Sequence, residues 1–282
     1  MPDVWVFAAI ATKFTLYLGI LTASGTVFAQ LMFQLDRLRN LAAAFAVVGL
    51  LAAALSFSLR GANLTGDASG MTDPEMLGLL WDTAAGTALM YRAIGLGLLI
   101  AGLFMGRLGQ WVSVFGGILA VWSFDHIGHV AGRETALLDI ALTFHLMAVA
   151  LWIGILTPLK RLASTVPTFD VAISVGHRFG IVAMVTVPAL IVAGAYMSYA
   201  LVGTIPLLFT TDYGQALLIK VLLVGALLGL AAVNKLRFIP RLRAGDMTAA
   251  GHLAKSISVE WAVFIAILAT TAVLTTNLTL PT

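Results

Sequence analysis

Long apolar runs, one after another, constrain this chain more than any single motif. A helix that crosses the hydrocarbon core of a bilayer takes about 20 mostly apolar residues. Such runs recur at 4–33, 40–60, 84–106, 108–127, 135–159, 176–202, 212–235 and 256–277. Lipid offers no water to complete backbone hydrogen bonds, so continuous runs of this length fold as helices. The expectation is an all-α integral membrane protein: one domain over residues 1–282, built as a bundle of eight transmembrane helices. Arg107 and its glycine neighbours alone separate the third and fourth runs, which demands a tight turn; merging or losing one run leaves seven.

Composition agrees. Soluble domains carry about 25% charged residues, whereas this chain has 10%, with 60% apolar residues. A formal charge of +3 is too small to point to nucleic acid. The chain has no cysteine, which removes disulfides, thiolate metal sites and iron–sulfur clusters. The first run has no basic leader or small-residue cleavage site and is too long for a signal peptide, so it is expected to be a true first span.

Lysine and arginine are in excess in cytoplasmic loops. The connections after the odd-numbered runs, with their flanks, hold Arg37, Arg39, Arg107, Lys160, Arg161, Arg178, Lys235, Arg237, Arg241, Arg243 and Lys255. The opposite side holds Arg60 and Arg133. Both termini are therefore expected outside the cytoplasm. The outer loop at 61–83 is acidic and carries Met71 and Met76. Within it Asp73-Pro74-Glu75 predicts a short surface helix, since Asp caps, Pro suits the first turn and Glu complements the dipole. Gly102-x-x-x-Gly106 and Gly225-x-x-x-Gly229 would let helices approach closely.

Three of the five histidines, His126, His129 and His145, fall within twenty residues of one another. Ionisable groups at membrane depth cost about 3 kcal/mol unless paired, ligated or wet, so each is a functional candidate. His126 and His129 are three apart, on one face if the helix continues, at the outer end of the fourth run. Asp125 could orient an imidazole, as carboxylates do behind metal ligands. His145 is ten residues into the fifth run, roughly 14 Å in at 1.5 Å per residue. It shares a face with Ala141, Ala148 and Trp152. A histidine bonded to a neighbouring helix and a buried ligand are both open readings.

Lys13, Arg92 and Lys220 also lie inside runs, with Asp139 and Asp212 as possible partners. A cationic lining suits carboxylates, such as the propionates of a haem. Glu260 and Asn234 match in depth near the cytoplasmic side, as a structural tie or an exit site for an ion. His177 reads as interfacial and His252 as solvated. Met71, Met76, Met90 and Met197 place soft thioether sulfur, suited to Cu(I), toward the outer half. Methionine also fills cores.

Several ordered elements carry a resemblance. They are Gly128-His129; then Phe144-His145-Leu146-Met147-Ala148-Val149-Ala150-Leu151-Trp152-Ile153-Gly154; then Thr211-Asp212-Tyr213-Gly214-Gln215-Ala216-Leu217-Leu218-Ile219-Lys220; then Asn234-Lys235; then Lys255-Ser256 ahead of Glu260. Over residues 120–277 the chain resembles the CopD copper-resistance family; the first four runs fit by number and orientation.

The resemblance implies a multi-pass protein of the bacterial inner (plasma) membrane, with both termini periplasmic. It would bind copper on its periplasmic face and mediate its transport, import or resistance. The partner would be a separate, CopC-like periplasmic copper-binding protein. The family's histidines carry over to His129 and His145, and by adjacency to His126. With Met90 and Met197 these make the candidate metal ligands, and Glu260 a group further in. A transporter or binding protein is expected rather than an enzyme. The alternative is a membrane redox protein with haem b, using His145 as an axial ligand and Arg92 and Lys220 at the propionates. A depth gap of over 10 Å between His145 and the outer pair opposes bis-histidine ligation. A scaffold that conducts nothing is a third reading.

Overall fold

The computed structural model describes residues 4–35, 38–128 and 135–281. His129, Arg37 and Arg133 lie outside the described residues. Regular structure among the described residues is entirely helical. In chain order the α-helices are α1 (Val4–Phe33), α2 (Arg39–Thr65), α3 (Pro74–Trp81), α4 (Ala84–Phe104), α5 (Arg107–Trp122) and α6 (Ala136–Ala163). They continue with α7 (Phe169–Val202), α8 (Ile205–Thr210), α9 (Asp212–Val233), α10 (Ile239–Arg243) and α11 (Thr248–Thr276). Short 3-10 turns precede α3 and follow α5, and a π turn, Asn234–Phe238, joins α9 to α10.

Among the described residues, seven helices are long and apolar enough to cross a membrane. The run expected at 108–127 differs from the rest: α5 has 16 residues, rising about 24 Å. The 3-10 turn Ser123–His126 continues it by about 8 Å, which brings the pair to the thickness of the hydrocarbon core. The link from α4 is Met105 and Gly106, as tight as the sequence requires.

The hub is α1, which packs against α2, α5, α6 and α11. Its Leu16, Ile20, Leu21, Ala23 and Val27 are fully buried. Lipid tails are as apolar as leucine, so close packing rather than water exclusion holds such helices together. Small residues make that packing possible. A Cβ on Gly25 would sit 1.7 Å from the Ala150 carbonyl oxygen, and one on Gly154 would sit 2.0 Å from Gly25 backbone atoms. Of the two glycine pairs in the sequence, Gly102 does meet a neighbour's backbone, at Gly109 and Ser113 of α5. Gly106, Gly225 and Gly229 face open space.

α7 and α9 are peripheral. Only 6% of the apolar window of each is buried, against 33–44% for the other five, so these two form an outer wall. α7 leans on α6, and α9 on α11. Arg178 of α7 caps the end of α1, donating to the Met32 carbonyl at 2.9 Å and the Phe33 carbonyl at 3.3 Å. A cation there meets the negative end of the helix dipole.

The short helix foreseen at Asp73-Pro74-Glu75 is α3. Asp73 Oδ1 accepts from the Glu75 and Met76 amides at 2.9 and 3.3 Å. Asp73→Ala should destabilise α3 by about 1 kcal/mol. Faster amide exchange confined to residues 75–81 is the expected readout, and unchanged exchange there would refute the cap. At the opposite end, Asp246 joins Arg241 at 2.6 Å and accepts from the Thr248 amide at 3.0 Å. Bonds from Thr248, then Arg241, hold that carboxyl below its ordinary range.

Candidate functional site

Among the described residues, the expected ligands lie at two levels of the bundle. His126 ends the 3-10 turn after α5 and is half-buried. Its ring sits edge-on to Tyr91 of α4 at 4.8 Å and to Trp122 at 5.2 Å. Tyr91 and Trp122 lie 5.0 Å apart, so two aromatic rings flank one imidazole. Met90 is the residue before Tyr91 and is 40% exposed. Its position in sequence beside the His126 cage was not a signal the chain alone could convey.

Asp125 behaves differently from expectation. Rather than orienting His126, it is buried and accepts a hydrogen bond from the Thr143 hydroxyl of α6. Successive residues of a 3-10 turn point about 120° apart, so the carboxylate goes inward where the imidazole goes to the aromatic pair. Asp139, one turn into α6, is close enough to act electrostatically on both Asp125 and His126. Among the described residues no three histidines and carboxylates gather as a metal-holding group. His129, assigned to this level, lies outside those residues.

His145 lies deeper, on the side of α6 that meets α7. A Cβ on Gly194 would lie 3.9 Å from its Cε1. Its Nδ1 is covered and has no hydrogen-bond partner. Met197 is half-buried and shares a face of α7 with Gly194, three residues away. Lys220 of α9 is close enough to act electrostatically on the imidazole. His145 and Lys220, grouped from the sequence only in the haem reading, are thus near each other, and His145 meets α7; the α7 contact was not legible because partner choice depends on how each helix is rotated.

The buried cations are not paired as expected. Arg241–Asp246 is the one ion pair among the described residues. Asp139 sits by Asp125 and His126, and Asp212 is exposed at the head of α9, about 12 Å up the helix from Lys220. Lys13 donates instead to the Thr275 carbonyl at 2.7 Å. Arg92 Nε donates to Ser123 Oγ at 3.1 Å, with its guanidinium 5.2 Å from the Phe124 ring centre. Arg92 is held beside Phe124 and Tyr17, whereas Lys220 acts on His145, so the groups named for a haem have different neighbours.

Glu260 and Asn234 are joined, as their matched depths suggested: Asn234 Nδ2 donates to Glu260 Oε1. Trp152 of α6 adds a bond from Nε1 to Oε2 at 3.2 Å. Trp152 was legible as a residue on the His145 face, seven positions on, but its partner was not.

Comparison with known proteins adds the family. Residues 1–139 match the model described as Copper resistance protein D-like, N-terminal domain, and residues 173–274 match Copper resistance protein D. The first match extends the likeness to spans for which the sequence offered no motif. Copper transport protein CutJ of Bacillus subtilis (strain 168) is 30% identical over 174 residues, 59% of this chain. The chain spans only 30% of that relative's length. No solved structure matches. Two models matched in order along one helical membrane bundle, together with the ordered motifs around His145 and Lys220, place this chain in the copper resistance protein D family.

Proposed function

We propose that this protein handles copper, taking it up at the periplasmic face of the bacterial inner membrane and passing it inward. The observation that carries the reading is His145: an imidazole set within a membrane helix, with a covered Nδ1 that has no partner. Buried polar atoms are nearly always bonded, so an orphaned nitrogen beside a peripheral helix is what a ligand position requires. Imidazole and thioether are also the donors that suit copper in a chain without thiols.

His126 and His129 form the receiving level, with Met90 nearby, and His145 with Met197 the level below. In this reading α5 and its 3-10 extension make the eighth crossing. Both termini and the acidic 61–83 loop are then periplasmic, and Lys160, Arg161, Lys235 and Arg241 cytoplasmic. A CopC-like periplasmic protein would deliver copper to the His126 end. Changing His126 and His129 together to alanine should abolish copper accumulation by cells while leaving the protein in the membrane. Accumulation equal to that of the unaltered protein would overturn the proposal.

A further inference from the structure

Copper chemistry does not account for a second constellation, in the half of the bundle that carries the basic residues. Glu260 of α11 is 2% exposed, and both of its oxygens already accept hydrogen bonds, from Trp152 and Asn234. It borders a cavity of about 180 Å³ walled by α6, α7, α9, the π turn, α10 and α11. The lining is apolar except for Trp152, Asn234, Lys235 and Glu260. Lys235 is the other ionisable group there, its Nζ donating across to the Gly180 carbonyl of α7 at 3.0 Å. The parts of α6, α7, α9, α10 and α11 that line the cavity bring no further charge besides Glu260 itself. His252, stacked on Phe238 at 5.7 Å, does not line it.

Ligand chemistry decides what such a place can hold. Hard metal ions take about six or more oxygen ligands, and here the two Glu260 oxygens are already engaged. Copper favours imidazole and sulfur, and the lining supplies Met184 alone, itself 57% exposed. The Lys235 ammonium opposes any metal cation. A proton needs a single lone pair on the carboxylate.

Asn234 is fitted to both states of that carboxylate. It is 9% exposed, and its Oδ1 is buried without a partner. An amide carries donors at one end and an acceptor at the other. With Nδ2 toward Glu260 it serves the ionised group; turned over, Oδ1 accepts from the protonated one. Oδ1 has no other partner, so it is available for the second arrangement. Asn234 also opens the π turn, and π turns recur at functional positions in helices.

We propose that this cavity is a proton site: Glu260 takes up and releases a proton, Asn234 turns over with it, and Trp152 steadies the second oxygen. In the step, a hydronium ion in the cavity gives its proton to a Glu260 oxygen and leaves as water; release is the reverse. For its coupling to cargo, and only for that, the proposal rests on copper movement as proposed above.

The test uses the whole protein in lipid vesicles. Infrared difference spectra across a pH titration should show a carboxyl band that is absent in Glu260→Gln. Copper movement should carry protons, reported by a pH dye, in the unaltered protein and not in Glu260→Gln. Copper affinity at the outer level should be the same in both. Should Glu260→Gln not fold, Trp152→Phe serves: loss of a donor to the ionised carboxylate favours the protonated form, so the band's midpoint must move to higher pH. No titrating band, a band governed by sodium instead of pH, an unmoved midpoint, or proton flux intact in Glu260→Gln overturns the proposal. If copper does not move at all, the copper reading fails, and the infrared band still decides the proton site.

Discussion

Replacing His145 with alanine is expected to stop copper movement while the protein remains folded in the membrane. The two effects separate because of how the side chain is held. Nδ1 has no protein partner, so the hydrogen bond removed with the ring is its one to the Leu190 backbone of α7. The residues that lock α6 in place lie on from it, at Leu146, Ala150, Ile153 and Gly154, all buried. The residual cost is a gap beside Gly194, where an added Cβ would only just reach the ring. If His145 is the inner ligand, its loss should weaken copper binding at that level by about a hundredfold, or ~2.8 kcal/mol at 1.4 kcal/mol per decade. Uptake of a copper isotope into vesicles, beside the melting temperature of the same sample, checks both halves. Uptake within a factor of two of the unaltered protein would remove His145 from the path. Loss of uptake together with collapse of the melting transition would show a packing residue instead.

The second large effect concerns the hub. Gly154→Leu should leave little folded protein. A Cβ alone at that position would overlap Gly25 of α1 at 2.0 Å, against backbone atoms that cannot turn aside. Overpacking by a methylene or two costs about 1–3 kcal/mol in a core that can adjust; four carbons against a backbone should exceed that range. α6 would have to move off α1, taking with it Thr143, His145 and Trp152, which tie it to Asp125, the α7 face and Glu260. The same substitution at Gly225, which faces open space, should change melting little, so the pair forms an internal control. Equal yields of monodisperse protein from both variants would contradict the packing described.

These two expectations draw on different kinds of information. That His145 lies deep in a span was legible, because hydropathy and 1.5 Å of rise per residue are local properties of one segment. That it faces α7 was not, because a helix's rotation is set by all its neighbours. Gly25 and Gly154 show the same limit: glycine is common in membrane helices, and only the crossing of α1 and α6 turns these two into a contact. Lys13 and Arg92, two of the cations expected to pair with Asp139 and Asp212, found a carbonyl and a hydroxyl instead, since depth alone does not say which side chains meet. The end of the fourth run also needed tertiary geometry, where a change to a 3-10 turn sends Asp125 and His126 in different directions.

By itself, then, the sequence determined an all-α membrane protein, the position of nearly every long helix, the cap at Asp73, the family and the matched depth of Glu260 and Asn234. All of these follow from periodicity, length and motif along one strand of chain. Tertiary structure alone decided that α1 is the hub, that α7 and α9 form the outer wall, and that Trp152 closes on Glu260 beside a cavity. In lipid, the apolar face of a helix carries no signal of what lies against it, so partners are chosen by small residues and hydrogen bonds whose meaning appears only when the helices meet.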